Sequence, residues 1–481
     1  MKWLVALAAI LTLAACGRAT RSQMDALSLD LPAEWTAAAT GPAGGDTAAW
    51  WEAFGDSAAA LVDEALAHNY DLRTAAASVA AARAQAKIAG APLWPQVTAG
   101  VSANRNRRRF IGFPIPGPGG VASSTSTAHS ANLVVGWEID LWGRLRSSHA
   151  AALADLQAVE ADWHGARQSL AAQTLRLYFA AVEAARQVEL AESTVGSYAL
   201  STEQVESRYR RGLRPSLDLL LSRSSLSTAE ANLHARRLEL DSTRRQLEIL
   251  LGRYPAGTIA TDRELPVLSQ PVPGGLPADL IARRPDLVAA ERRLAASRGR
   301  QEEARAALYP RISLTASGGR SSSELRNLLD GDFAVWNLVG NITQPLLQGG
   351  RIRAGVDLAN AQGDQALATY AGSALRAYAE VESNLAAGIA LDRQEQAVAD
   401  AARQATTARR QAEERYTKGL ADLLTMLTSQ RSVYDAESRL LSIRRQRLTS
   451  RIDLHLALGG SFSGDPALAG DQAGESPGEP R

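Results

Sequence analysis

The 481-residue chain has a single cysteine, few aromatic residues and no surplus of either charge, and each shortage closes a class of function. A lone thiol, Cys16, excludes an internal disulfide framework. Lys and Arg total 52 against 51 Asp and Glu, so no general basic field exists to gather nucleic acid. Aromatic residues make up 5% of the chain and hydrophobic residues 46%, which points to much helix joined through small side chains. Beyond the N-terminal segment no apolar run reaches the roughly 18 residues that a transmembrane helix needs. Any membrane crossing must therefore be made by strands. The six histidines (His68, His129, His149, His164, His234, His455) are scattered, and none pairs at metal-ligand spacing. No nucleophile elbow, phosphate loop or dinucleotide fingerprint stands at a strand-to-helix junction. The abundant carboxylates read as solvated helix faces and i,i+4 partners. No catalytic constellation is present, so neither enzymatic activity nor a cofactor is expected.

The N-terminus sets the compartment. Met1-Lys2 is a minimal positive region, the apolar stretch Trp3 to Leu13 follows, and Leu13-Ala14-Ala15-Cys16 closes it. Residues 1–15 read as an export signal. The order Leu-Ala-Ala-Cys resembles the bacterial lipobox, which implies that Cys16 is lipidated (palmitate included) and becomes the first mature residue. A plain signal peptide and an ordinary buried thiol are the alternatives. In lipoproteins that this segment resembles, a Gly such as Gly17 after the cysteine, rather than Asp, favours sorting to the outer membrane.

The rest of the chain reads as a duplication. Arg208-Tyr209-Arg210-Arg211-Gly212-Leu213 returns as Arg415-Tyr416-Thr417-Lys418-Gly419-Leu420, with Glu230 and Leu233 answered by Glu437 and Leu440. Gly143-Arg144-Leu145-Arg146 returns as Gly350-Arg351-Ile352-Arg353, and Leu93-Trp94-Pro95-Gln96-Val97 as Leu308-Tyr309-Pro310-Arg311-Ile312. Three landmarks in one order at an offset of about 200 residues mean two structural repeats. The expected boundaries are a lipidated linker over 16–45, a first repeat over 46–250, an equatorial linker over 251–276, a second repeat over 277–458 and a disordered tail over 459–481.

Each repeat follows one plan. A helix, about Ser57 to Ala89 in the first copy and about Pro277 to Leu308 in the second, stops at the Trp/Tyr-Pro step, where the residue before proline is driven to extended geometry. A β-hairpin follows, about 96–141 and about 311–345. Val97, Ala99, Val101 and Ala103 alternate with Gln96, Thr98, Gly100, Ser102 and Asn104. Leu133, Val135, Trp137, Ile139 and Leu141 alternate with Asn132, Val134, Gly136, Glu138 and Asp140. In the second copy Ile312, Leu314 and Ala316 alternate with polar neighbours, as do Trp336, Leu338 and Ile342. Period two means strands with one apolar and one polar face. A half-buried sheet of a soluble domain shows the same pattern. The export signal favours a membrane barrel, yet four strands cannot close one, and an open edge cannot face lipid. The barrel reading therefore requires several chains. Arg105, Arg107, Arg108 and Arg109 with Phe110 to Gly120 are expected to form one outward loop, and Gly318 to Asp332 the other.

Long helices come next. No proline interrupts Arg144 to Arg214 or the stretch from Arg351 to Pro466. About 65 helical residues extend roughly 100 Å, with Gly212 and Gly419 as stops and return helices over about Ser216 to Leu251 and Leu420 to Leu458. Two antiparallel coiled-coil-like hairpins per chain, repeated about an axis, make a helical tube.

At this point the chain resembles the TolC-type outer-membrane efflux family, in its lipoprotein branch serving resistance-nodulation-division pumps. The resemblance rests on Trp50-Trp51-Glu52-Ala53-Phe54-Gly55-Asp56, Ala65-Leu66-Ala67-His68-Asn69-Tyr70-Asp71-Leu72, Glu138-Ile139-Asp140-Leu141-Trp142-Gly143-Arg144 and Ile281-Ala282-Arg283-Arg284-Pro285-Asp286-Leu287 with Ala289-Ala290-Glu291. It covers essentially the whole mature chain. It implies a mixed α and β membrane protein: a homotrimer with a twelve-stranded outer-membrane β-barrel, four strands per chain, continued by a long periplasmic α-helical barrel. It further implies an outer-membrane, lipid-anchored exit duct for small molecules, multidrug resistance among its roles, working with a periplasmic adaptor and an inner-membrane pump. A duct for type I protein secretion and a non-conducting structural lipoprotein are the alternatives. Arg-Arg-Pro-Asp also has a local reading, Pro285 in a first helical turn and Asp286 at its positive end. The closed end of the duct is expected at the two helix turns, with Leu420, Leu423 and Leu424 as a plug and Asp218 or Asp422 as a ring of like charge. Arg211, Arg214 and Lys418 are candidate bases to lock it, and a plain helix cap is the alternative for Asp422.

Overall fold

A proline after a bulky aromatic ends the first helical stretch of each repeat, and a strand begins at once. The structure, a computed structural model, describes residues 35–36, 49–110, 122–267 and 283–460. The export signal, Cys16, the tip of the first hairpin, part of the equatorial linker and the tail from 461 onward lie outside the described residues. A short 3-10 turn, Trp50–Phe54, precedes helices α1 (Asp56–His68) and α2 (Tyr70–Gly90). Strands β1 (Gln96–Phe110) and β2 (Ala122–Ile139) lead into helices α3 (Arg144–Arg210), α4 (Ser216–Leu250) and α5 (Pro285–Ala306). Strands β3 (Arg311–Ser322) and β4 (Ala334–Thr343) then lead into α6 (Arg351–Thr417) and α7 (Leu423–Ala457).

The single first helix expected from the sequence is two helices. Asn69 interrupts it, and its side-chain oxygen accepts from the Leu72 N–H at 3.0 Å, capping α2. The helix expected from about Pro277 is described from Pro285, with proline at its first position and Asp286 in its first turn. None of the described helices is long and apolar enough to cross a membrane.

The duplication is kept residue for residue in the four long helices. α3 and α6 are both 67 residues long, α4 and α7 both 35, and one offset of 207 carries Arg144 to Arg351 and Leu250 to Ala457. All four helices end alike. Gly212, Gly252, Gly419 and Gly459 take φ of 70°, 74°, 72° and 89°, the left-handed region that suits glycine. Behind each, a pair of reversed bonds closes the last turn. Leu213 N–H donates to Arg208 O at 2.9 Å and Gly212 N–H to Tyr209 O at 2.8 Å, and Leu420 and Gly419 repeat this on Arg415 and Tyr416.

Two compact units divide the chain. One, Asp63–Ala171 with Pro285–Tyr370, holds the sheet, α2, α5 and the starts of α3 and α6. The sheet is antiparallel throughout, in the order β1-β2-β3-β4, so β1 and β4 are its edges. Four of the expected loop residues, Arg105, Arg107, Arg108 and Arg109, lie in β1, paired with Thr127, Thr125, Ser124 and Ser123 of β2. Likewise Gly318 to Ser322 belong to β3. The hairpins run on because Ser and Thr opposite the arginines keep the ladder going, as with the Arg107 Nη2 bond to Ser123 Oγ at 3.3 Å. In the same unit Gly299 of α5 lies so close to Ala151 and the Ser147 carbonyl of α3 that a Cβ there would sit 3.0 Å from each. Ion pairs Arg293–Asp162 and Arg300–Asp155 flank that approach.

The other unit contains the remaining parts of α3 and α6, all of α4 and α7, and the Trp50–Phe54 turn. Buried small and polar side chains knit its helices. Thr202 Oγ1 meets Ser222 Oγ at 2.7 Å, and Gln430 Nε2 donates to Ser201 Oγ at 2.9 Å. The segment after α4, expected as a linker, folds back onto that helix. Glu248 accepts from the N–H groups of Gly257, Thr258 and Ile259 at 2.6, 2.7 and 3.0 Å. Burial opposes the charge, but the three donors outweigh it and hold the Glu248 carboxyl below its ordinary range.

An aromatic nucleus fastens the Trp50–Phe54 turn to α7. Trp50 stacks on His455 with ring centroids 5.1 Å apart, Phe54 meets the same imidazole edge-on, and Phe179 lies against Phe54. Burial, and then the Arg451 charge, push His455 down to about 4. Its charged form is therefore penalised in the folded protein. Stability from this site is present above the unfolded value of 6.5 and is lost as pH falls from there toward 4, by up to roughly 3 kcal/mol. Melting of purified His455→Phe protein is expected to be flatter than wild type over that window; equal pH slopes would sink the assignment.

Candidate functional site

The sheet register brings every alternating apolar residue to one face. Val97 pairs with Val135 and Ala99 with Leu133; Val135 pairs onward with Ala316, and Leu133 with Gly318. Trp137 pairs with Leu314, Ile139 with Ile312, and Ile312 with Ile342. Directly paired residues share a face, so one apolar surface crosses all four strands. It is bare within the chain: Val101 is 80% exposed and Trp336 83%. The opposite face carries Ser102, Asn132, Ser130, Thr315 and Asn341, with Ser102 Oγ and Ser130 Oγ 2.7 Å apart. A soluble half-buried sheet would cover its apolar face; here that face lies as open as the polar one.

The strand-to-helix junctions anchor this sheet. Asp140 accepts from the N–H groups of Leu145 and Arg146 at 3.1 and 2.9 Å, capping the start of α3. Arg144 holds both carboxylate oxygens of Glu138, at 2.9 and 3.0 Å. Trp142 stacks on Tyr309 at 4.8 Å and donates its indole N–H to Pro310 O at 2.8 Å. The Glu-Ile-Asp-Leu-Trp-Gly-Arg motif is thus a joint between strand and helix.

The second surface is formed by the two helix turns, which the fold brings together within one chain. Tyr416 is fully buried, in a cluster with Tyr198, Val205, Leu219, Leu423, Met426 and Leu427. Two guanidinium groups of the first turn flank its ring, with Arg208 Cζ 5.1 Å and Arg214 Cζ 5.0 Å from the centroid. Arg208 also donates to Tyr416 O at 3.4 Å and Thr417 O at 3.2 Å, carbonyls at the end of α6.

The expected site residues fall into distinct places on these turns. Asp218 pairs with Arg214 at 3.7 Å. Asp422 is the N-cap of α7, accepting from Thr425 N–H at 2.8 Å. Hydrogen bonds from the Thr425 side chain and backbone, aided by the Arg214 charge, hold its carboxyl below the ordinary range. Arg214 therefore acts electrostatically on both aspartates. Lys418 pairs within its own helix, with Glu414 at 2.6 Å, and Arg211 is exposed. Leu423 is buried in the cluster, whereas Leu420 and Leu424 are exposed. Tyr416 and Arg208 were not singled out in the sequence as site residues. Their signal was there in the repeated Arg-Tyr pair, which reads equally well as a helix end.

Comparison with known proteins gives a concordant picture. The model of the family described as outer membrane efflux protein matches residues 61–253 and 276–460. The outer membrane protein OprJ of Pseudomonas aeruginosa is 33% identical over 477 residues, covering 98% of each chain. A pyoverdine export outer membrane protein, OpmQ, of Pseudomonas putida is 34% identical over 86% of this chain and 88% of its own. The toluene efflux pump outer membrane protein TtgI of Pseudomonas putida is 33% identical over 84% of this chain and 85% of its own. Among solved structures, a membrane protein from Pseudomonas aeruginosa superposes with a TM-score of 0.82 at 33% identity over 90% of this chain and 95% of its own. The Campylobacter jejuni CmeC outer membrane channel gives 0.83 at 25% identity, with 90% and 92% covered.

Two adjacent glycines test the register of the sheet. A Cβ at Gly319 would overlap the Ala131 carbonyl oxygen and the Asn132 backbone, whereas one at Gly318 meets nothing within 4 Å. Gly319→Ala is expected to lose the folded outer-membrane form on heat-modifiability gels, and Gly318→Ala to keep it. The register is wrong if the two behave alike.

Proposed function

The chain belongs to the outer membrane efflux protein family, and on that premise we propose that three copies assemble into one lipid-anchored duct. The protein is an outer-membrane channel of an efflux system, and its family is one of channels rather than enzymes. The observation that carries assembly from several chains is the sheet, and the count of three is what the likeness to TolC-type channels implies. Four strands, two open edges and a continuous bare apolar face need lipid on one side and further strands at both ends. Three chains supply twelve strands, with β4 of one copy beside β1 of the next, and the polar face lines a water-filled bore. Cys16 carries the lipid, which adds anchorage to a barrel already held by its strands.

The partners on this reading are a periplasmic adaptor and an inner-membrane pump. The duct is passive, and the pump selects the cargo. Relatives of almost equal similarity named for pyoverdine and for toluene support a bore that does not choose. The periplasmic end closes at the two helix turns. Exposed Leu420 and Leu424 narrow it, and Asp218 and Asp422, in three copies each, line it with negative charge that Arg214 offsets.

Planar-bilayer recording of the purified protein tests the duct, since a non-conducting structural lipoprotein passes no current. Asp218→Asn or Asp422→Asn is expected to weaken cation preference or raise open probability. If both variants conduct and select like wild type while melting earlier, these residues are caps and closure lies elsewhere. Cys16→Ala behind a cleavable signal is expected to reach the outer membrane as a trimer, and its loss as a trimer on gel filtration would make the lipid part of assembly.

A further inference from the structure

Tyr209 and Tyr416 hold the same place in the two repeats, each just before the glycine that ends a long helix, yet their surroundings differ. Tyr416 is fully buried beneath Arg208 and Arg214. Tyr209 is 41% exposed. Arg415, which answers Arg208 at the offset of 207, is exposed and has no ion pair or side-chain hydrogen bond among the described residues. One copy of a repeated contact is thus made within the chain, and among the described residues the two groups for its other copy do not meet. In a closed ring of duplicated chains, a contact from first repeat to second within one chain continues from second repeat to the first repeat of the next.

Resting on the trimeric reading above, we propose that Arg415 of each copy lies on the Tyr209 ring of its neighbour. The Arg415 guanidinium donates there to the carbonyls of Tyr209 and Arg210, as Arg208 donates to those of Tyr416 and Thr417. These carbonyls stand at a helix C-terminus, where a cation is favoured, and Tyr209 O, which already accepts from Gly212 N–H, has a second lone pair to offer. The occupant of this surface is therefore a second copy of the chain. The two kinds of clamp are unequal. Arg214 adds a second guanidinium to Tyr416, but its counterpart at the same offset is Ala421, which has none. The clamp between chains rests on one cation where the clamp within a chain has two. It is the weaker joint, and the end of the duct parts between protomers.

Cysteine pairs read this directly, in full-length Cys16→Ser protein on a cleavable signal, where introduced thiols are the only ones. After treatment with a short bismaleimide, Tyr209→Cys with Arg415→Cys is expected to give covalent dimers and trimers on a denaturing gel, beyond those of either single variant. Arg208→Cys with Tyr416→Cys is expected to link within one chain and run as a monomer. Native mass spectrometry of each sample before cross-linking separates the two ideas. A monomer there overturns the trimer and the clamp together. A native trimer whose Tyr209/Arg415 pair yields only monomers overturns the clamp alone. In bilayers, Arg415→Ala is expected to raise open probability and Arg415→Lys to restore most of the closed time; an unaltered Arg415→Ala channel would also overturn the clamp.

Discussion

Everything in this protein depends on the backbone N–H and C=O groups at the free edges of a four-stranded sheet. In hydrocarbon each such group left unpaired costs several kcal/mol, and no water is present to satisfy it. A soluble protein covers an edge with a loop, a charge or a bulge. Here both edge strands are long and regular, and their large apolar side chains stand uncovered. The chain is incomplete as a structure by itself. On the trimeric reading its neighbours supply the missing strands, and the helical parts inherit whatever symmetry that closure imposes.

That inheritance explains why so little of the helical interior is large and aromatic. On that reading the helices pack against copies of themselves on both flanks and cannot rely on one deep core. They use Ala at close approaches, buried Thr–Ser and Gln–Ser bonds between helices, and local clusters such as the one around Tyr416. The exceptions are instructive. The aromatic nucleus of Trp50, Phe54, Phe179 and His455, and the Glu248 nest, both hold non-helical chain against helices. They stand where secondary structure supplies no partner for the connecting backbone.

The strands, the long helices and their duplication were legible because each is written in a short period: two for strands, one glycine stop per helix, and one proline per helix-to-strand step. The limits of the hairpins were not. Arg105 to Arg109 look like a loop because charge and turn residues usually go together, but a strand tolerates arginine wherever both faces meet water and Ser or Thr stands opposite. Asn69 falls inside the run that reads as one helix from about Ser57 to Ala89, although an Asn before Tyr-Asp-Leu has the capacity to cap a new helix, as it does. The helix-turn site was legible as a place but not as a set of contacts. The sequence marks Asp218, Asp422 and three leucines as equals, whereas the fold makes Asp422 a cap, pairs Asp218 with Arg214 and buries Leu423 alone of the leucines.

The 207-residue offset shared by the four long helices has a mechanical meaning. Each helix residue advances the chain by about 1.5 Å and turns it by about 100°. One residue inserted into α3 alone would carry its tip past that of α6 and swing Arg208 away from Tyr416. A second insertion at the matching place in α6 would restore level and azimuth together. The two halves therefore act as a matched pair of gauges: either can change length only if the other changes by the same count, whatever side chains fill the added turn.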